Sequence, residues 1–312
     1  MKIQMAQTLG PDRRPGARDE EAWDVFTATL LLIHIGIIYS KTLHHGTITY
    51  LVRRCETLDL ITSKKGEQLM TARSVDAIVL GAGFAGLMTA WRLLNKNFKV
   101  LVVEPEPGLT HQSYYPGING SRAWISNRYK EFIEEIKPKI LEQDDSGSWI
   151  DPLELIIRLA YRVYVAGGRI VVDSVVEPFY KIYDDRIIVI GAVIKSLENE
   201  SGTDREYVLA RGIIDASHNA LIPTNLVDRL KTGIIIQGNG PIIPGSSDVI
   251  DKTTWIFPGI IVAGLAAAQT NGANLPFPDI GPLLASGVKA AELFIEGYPE
   301  NPVNELFFPG VI

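Results

Sequence analysis

The pattern of apolar and polar positions changes character near residue 70. Upstream, residues 1–24 are polar and rich in turn formers, such as Gly10-Pro11-Asp12 and Arg14-Pro15-Gly16. An apolar run at 26–39, interrupted by His34 and Gly36, is followed by a short β-like run at 47–52. Neither has an evident partner in a hairpin or a repeat. Residues 1–69 are therefore expected to be a poorly packed or disordered extension, with Met70 a candidate start of the folded body. Beyond it the pattern is regular. Residues 75–80 read as a buried strand, 85–94 as a helix and 99–103 as a second buried strand, the order of a βαβ unit. Residues 129–142 carry a helical pattern that Pro138 kinks or ends. Asp151-Pro152 is a helix start, an N-cap followed by proline at the first helical position. Leu153, Ile156, Ile157 and Ala160 mark its expected buried stripe, and Gly167-Gly168 its end. Residues 169–173 form the next buried strand. Alternating strands between 175 and 209 are separated by turn signals at Asp184-Asp185 and 199–202. Strands at 212–216 and 259–263 and a helix at 282–295 complete the body. The fold class is α/β: a Rossmann-like parallel sheet with helices on both faces, in a 70–312 dinucleotide-binding domain with an inserted antiparallel layer at about 174–210.

Composition narrows the function. The 312 residues are 46% hydrophobic and 21% charged, the balance of a globular protein. A net charge of −6 gives no electrostatic footprint for nucleic acid. The single cysteine, Cys55, excludes an intramolecular disulfide framework and any multi-cysteine metal cluster. The run at 26–39 is shorter than the roughly 20 residues of a membrane span. It also follows Asp19-Glu20-Glu21, where a secretory leader would be positive. No membrane role and a cytoplasmic location are expected.

One motif carries chemistry. Gly81-Ala82-Gly83-Phe84-Ala85-Gly86 fits GxGxxG, follows a predicted strand and opens a predicted helix. An acid, Glu104, stands at the end of the second strand. Together these make the fingerprint of an adenine-dinucleotide site. Gly81 permits the tight turn, Gly83 lets the backbone approach a pyrophosphate, and Gly86 lets helix and strand pack closely. The helix N-terminus offers N–H groups to the phosphates. Glu104, followed by Pro105, can accept hydrogen bonds from ribose hydroxyls.

Several later stretches resemble the thiamine thiazole synthase family. Residues 258–267 (PGIIVAGLAA) are similar to the family's PG-hydrophobic-YVAGMA run. Residues 212–219 (GIIDASHN) resemble its VVDATGHD, 151–170 its helix–strand stretch with AGAKI, and 281–292 its GP…LLSGKKAAE. The resemblance spans about 74–297, with no intervening NAD(P)H domain. It implies Gly264 and Gly281 among the cofactor-binding residues, a homo-oligomer (an octamer in the family), and conversion of NAD, glycine and a sulfur source into an adenylated thiazole. With no cysteine in 70–312, it implies the sulfide-dependent type that uses Fe(II). It also places Asp215 and His218 at the catalytic end, with His218 as the metal ligand. His111, in the loop after Glu104, is the other histidine of the body.

The chain also departs from the family. Asp279-Ile280-Gly281-Pro282 puts an acid where the family's RMGP arginine would clamp the glycine carboxylate, and a like charge repels that group. Ser217-His218-Asn219 replaces GHD. Residues 107–117 replace a GGG-x-W-x-GG-like run, and the segment between Gly281-Pro282 and Ser286-Gly287 is about one helical turn shorter. Leu265 stands where two-dinucleotide flavoproteins carry the aspartate that holds the ribityl chain. Two alternatives stay open: an FAD-dependent oxidoreductase, and a non-catalytic nucleotide-binding paralogue. Trp91, Trp124, Trp149 and Trp255 read as packing anchors, and Pro276-Phe277-Pro278 as a rigid loop.

Overall fold

The computed structural model describes residues 72–107, 109, 122–183, 186–197, 205–230 and 235–297, with two upstream strands. Those strands, β1 (Ile38–His44) and β2 (Thr47–Arg53), pair antiparallel as a hairpin, Ile38 opposite Arg53. The expectation that nothing upstream pairs is thereby corrected for these residues. The body opens with β3 (Ala72–Ser74), β4 (Ala77–Leu80), α1 (Phe84–Leu94) and β5 (Val100–Val103). Next come β6 (Ala123–Ser126), α2 (Lys130–Ile136), β7 (Ile140–Asp144), β8 (Gly147–Ile150), α3 (Pro152–Val165) and β9 (Arg169–Val171). Strands β10 (Ser174–Tyr183), β11 (Arg186–Ser196), β12 (Arg205–Leu209) and β13 (Gly212–Asp215) lead to α4 (Leu221–Leu230) and α5 (Asp248–Asp251). The described chain ends with β14 (Thr254–Phe257), β15 (Ile260–Val262), α6 (Gly264–Asn271) and α7 (Gly281–Glu296).

The central sheet runs β14-β15-β13-β4-β5-β9, parallel throughout except for β14 at one edge. Its strands are apolar on both faces because both faces are covered. Alternate residues divide cleanly. Ala77, Val79, Val100, Val102, Ile214 and Ile261 pack with the apolar sides of α1, α3 and α7. Ile78, Leu80, Leu101, Val103, Ile213 and Ile260 pack against Val176, Val189, Ile194 and Val208 of the second sheet and Ile222 of α4. That second sheet is β10-β11-β12-β3, antiparallel but for the parallel pairing of β3 with β12. A three-stranded antiparallel sheet, β6-β8-β7, stands apart. On it Trp124 and Trp149 meet edge to face at 5.1 Å.

Two local expectations change. The helical pattern at 129–142 ends at Ile136, because Lys137 takes a left-handed conformation ahead of Pro138, and Ile140–Asp144 turns back as a strand. In α3 the Asp151 side chain does accept the N–H groups of Leu153 and Glu154. Its buried stripe, however, is Leu155, Ile156, Leu159, Ala160 and Val163; Leu153 and Ile157 are exposed. Among the described residues no helix is long and apolar enough to cross a membrane.

The pairing of the body's three sheets begins at Ala72. A chain starting at Met70 therefore keeps every one of those pairings, and we expect cooperative thermal unfolding close to that of the full chain. Failure of that shortened chain to fold would show that residues 1–69 belong to the core.

Candidate active site

The register of the central sheet sets Leu80, Val103, Asp215 and Val262 abreast at its carboxyl edge. The residues that follow them, Gly81, Glu104, Ala216 and Ala263, therefore emerge side by side. In open α/β sheets this edge is where ligands bind. The sequence-predicted residues Gly81, Gly83, Phe84, Ala85, Gly86, Glu104, Pro105 and Gly264 all fall on it or on the helices it feeds.

Glycine is required at two of these positions. Gly81 has φ +97°, and a Cβ there would stand 2.6 Å from the Ala216 carbonyl oxygen. A Cβ on Gly86 would collide with the Gly81 carbonyl oxygen. The first turn of α1 is thus seated directly on the turn that precedes it, and Gly83, extended at φ −84° and ψ −169°, is its N-cap without a side-chain bond. Glu104 closes the arrangement. Its Oε2 accepts the Ala82 N–H at 2.6 Å, and its Oε1 accepts the Glu106 N–H at 3.1 Å. The acid at the end of β5 is thereby fixed against the glycine turn, where a ribose would meet both. These residues fit an adenine dinucleotide.

The helices are locked to the same turn. Ala85 lies against Gly287 of α7, whose added Cβ would clash with the Ala85 carbonyl oxygen. The Thr89 hydroxyl spans the two backbones, 2.8 Å from Ala85 O and 2.9 Å from Gly287 O. The Ser286 hydroxyl accepts the Gly264 N–H at 2.7 Å and pairs with Thr253 at 2.6 Å. The sequence reading did not single out Thr89, Ser286 or Thr253. For Thr89 and Ser286, a hydroxyl in an apolar helix stretch was the available signal; Thr253, between α5 and β14, had none.

Asp215 is fully buried at the end of β13. Its Oδ1 accepts the Ser217 N–H at 2.9 Å, and its Oδ2 accepts the Ile222 N–H at 2.7 Å. The Ser217 hydroxyl accepts the Leu221 N–H at 3.2 Å. Asp215 thus holds the turn that starts α4. Burial pushes its carboxyl above the ordinary range, and the bonds from Ser217 and Ile222 oppose the rise. His218, partly buried on that same turn, lies with Nε2 2.6 Å from Asn219 Nδ2. Among the described residues no three His, Cys, Asp or Glu side chains converge as a metal site. His111 and the rest of the segment at 110–121 lie outside the described residues. Leu265 is buried in the apolar core, with no acceptor for a ribityl chain.

Asp279 is the unusual group. It is 2% exposed, between β6 and the start of α7. Its Oδ1 accepts the Gly281 N–H at 2.9 Å and the Ser126 N–H at 3.4 Å. Its Oδ2 is buried with no hydrogen-bond partner. Leaving such an acceptor unmet costs about 1–3 kcal/mol. Burial accordingly raises this carboxyl, opposed by bonds from Ser126 and Gly281 and by the charge of Arg128.

Residues 59–282 match the model of the Thi4 family. The thiamine thiazole synthase of Aeropyrum pernix is 30% identical over 237 residues, 71% of this chain and 83% of that protein. The thiamine thiazole synthase of Methanothrix thermoacetophila is 26% identical over 240 residues, 74% of this chain and 91% of that protein. The crystal structure of Thermovibrio ammonificans THI4 superposes with a TM-score of 0.65 at 24% identity, covering 72% of this chain and 89% of that one. That last likeness speaks for the fold.

The raised Asp279 carboxyl predicts a pH dependence. The native state binds this proton more tightly than the unfolded chain, so the carboxyl's contribution to stability falls as pH rises above the unfolded value near 4. Asp279→Asn has no such proton. The stability of the wild type minus that of Asp279→Asn should therefore decline from about pH 4 toward neutrality, as read by urea unfolding at each pH. A difference that rises with pH would mean that Asp279 is stabilised as an anion.

Proposed function

We propose that this chain, which belongs to the Thi4 family, is a thiamine-thiazole-synthase-like protein that holds NAD or an adenylated ligand derived from it at the carboxyl edge of its parallel sheet. The observation that carries this reading is the glycine turn. Gly81 and Gly86 bring backbone against backbone, and Glu104 is bonded to Ala82 N–H at the point a ribose would occupy. The N–H groups of the first turn of α1, which have no acceptor within the helix, suit a pyrophosphate. Leu265, buried and apolar, favours this ligand over FAD. In this proposal Gly264 and Gly281 open the two helices that flank the ligand, and Pro105 stiffens the chain after Glu104.

His218 is the residue we assign to proton transfer at the reacting end, on the turn that Asp215 fixes. Asp215 is then a positioning residue: both its oxygens are engaged by backbone. Iron has no convergent ligand set among the described residues. The family's reaction on glycine meets an obstacle in Asp279, whose negative charge opposes a carboxylate.

A homo-oligomer is part of the proposal. Leu153, Ile157, Tyr161, Tyr164 and Val165 recur at three- and four-residue spacing along one side of α3, with Ile157 55% and Tyr161 66% exposed. A contiguous apolar stripe of this kind suits a second copy of the chain.

Two measurements follow. Gly83→Val places a branched side chain where the pyrophosphate must approach; NAD binding by calorimetry should be lost while the circular dichroism spectrum is kept. Unchanged NAD affinity would move the site elsewhere. Tyr161→Glu should shift the mass found by light scattering toward the single chain, and an unaltered oligomer would remove α3 from the interface.

A further inference from the structure

Two buried polar atoms near the start of α7 have nothing to bond. One is Asp279 Oδ2; the other is the hydroxyl of Tyr129. Tyr129 is buried, its ring pressed against Gly281, where an added Cβ would clash with the ring carbons. Asp279 Oδ1 accepts the N–H of that same Gly281. The two groups thus flank one residue, and the Tyr129 hydroxyl is raised by burial, lowered by the Arg128 charge and raised again by that of Asp279.

The bland reading makes Asp279 a cap for α7. A cap explains Oδ1 and leaves Oδ2 unexplained, since a serine or threonine would accept the same N–H without a second desolvated oxygen. Nor does an internal cation account for it. Arg128, whose charge lowers the Asp279 carboxyl from a distance, lies over the Tyr129 ring, 5.5 Å from its centroid, and gives Oδ2 no hydrogen bond. The position matters too. Gly281 stands six residues before Gly287, about 9 Å along the helix from where α7 meets Ala85 of the glycine turn. The chain over Asp279 is the exposed stretch 241–245, where a Cβ on Gly245 would stand 3.9 Å from Oδ2.

We propose that Asp279 and Tyr129 form a receptor for the cationic end of a ligand, a primary ammonium or an amidinium group. Such a group carries several N–H donors and a positive charge, which suit the buried Asp279 Oδ2 and, at the far end of the ring that packs on Gly281, the unpartnered Tyr129 hydroxyl. A carboxylate at the same place would face like charge. This deepens the dinucleotide reading, on which it rests for what lies beside the receptor, by naming the chemical class of the co-substrate: an amine presented without a carboxylate toward Asp279.

The test titrates the full chain with methylammonium, acetamidinium and acetate at matched ionic strength, with and without NAD, and follows ligand binding by saturation-transfer NMR. Both cations should bind and acetate should not. Asp279→Asn should weaken methylammonium by about tenfold or more, the worth of one charge-assisted bond. Tyr129→Phe, which keeps the ring against Gly281, should weaken it less. Acetate binding in preference to the cations, or equal methylammonium affinity in Asp279→Asn, overturns the proposal. Should Asp279→Asn fail to fold, the preference of the wild type and the effect of Tyr129→Phe decide. Gly83→Val separates this idea from the dinucleotide reading, because it leaves Asp279 and Tyr129 untouched. Methylammonium binding there, with NAD binding intact in that variant, refutes only the dinucleotide site. No methylammonium binding to a wild type that takes up NAD refutes only the receptor.

Discussion

The contact of Gly86 with the Gly81 carbonyl oxygen is the constraint on which the site depends. It lets α1 begin immediately above the end of β4, and so directs the free N–H groups of its first turn to the edge of the sheet. A side chain at Gly86 would force the helix away from the strand, and one at Gly81 would strike the backbone of Ala216 and Ser217. The hydrogen bond from Ala82 to Glu104 then ties β5 to the same turn. Thr89 and Gly287 tie α7 to it, and Ser286 ties α6 to α7. The helices around the candidate site are thus tied in sequence to α1, α7 directly and α6 through α7.

The βαβ unit was legible because each part carried a local rule. Apolar strands buried on both faces read as continuous runs at 77–80 and 100–103, and the glycines between them have no other use at that spacing. The cap at Asp151 was legible for the same reason: its geometry lies within three residues. What failed was long-range. Pro138 marked the end of α2, but nothing local showed that Ile140–Asp144 turns back as a strand against β8. Leu153 and Ile157 carry the hydrophobicity of a buried stripe but lie on the outer side of α3, since the inner side is decided by α1 and β9. The short strand β3 exists only because β12 lies beside it.

The site divides along the same line. Its adenine end is a sequence-local turn, whereas its other end is assembled from β6, α4, α7 and the residues before α7. Asp215 read as a catalytic acid from its place after an apolar strand. The structure shows what such an acid also does there, binding two backbone N–H groups that would otherwise be buried unmet. Tyr129 carried no signal, because its relation to Gly281 arises only when the turn at Asn127–Tyr129 packs on α7.

Charge gives the last step. A helix start attracts anions, so a carboxylate such as Asp279 is at home ahead of α7. The Gly281 N–H, however, engages only one of its oxygens. Were the group merely structural, a neutral hydroxyl would serve at lower cost, since it leaves no second oxygen to desolvate. An acid there, with the unmet phenol of Tyr129 across Gly281, suits the proposed partner that brings its own protons and positive charge. Membership of the Thi4 family and the proposed receptor are therefore compatible, because the glycine turn that suits a nucleotide and the helix start that carries Asp279 are separate elements.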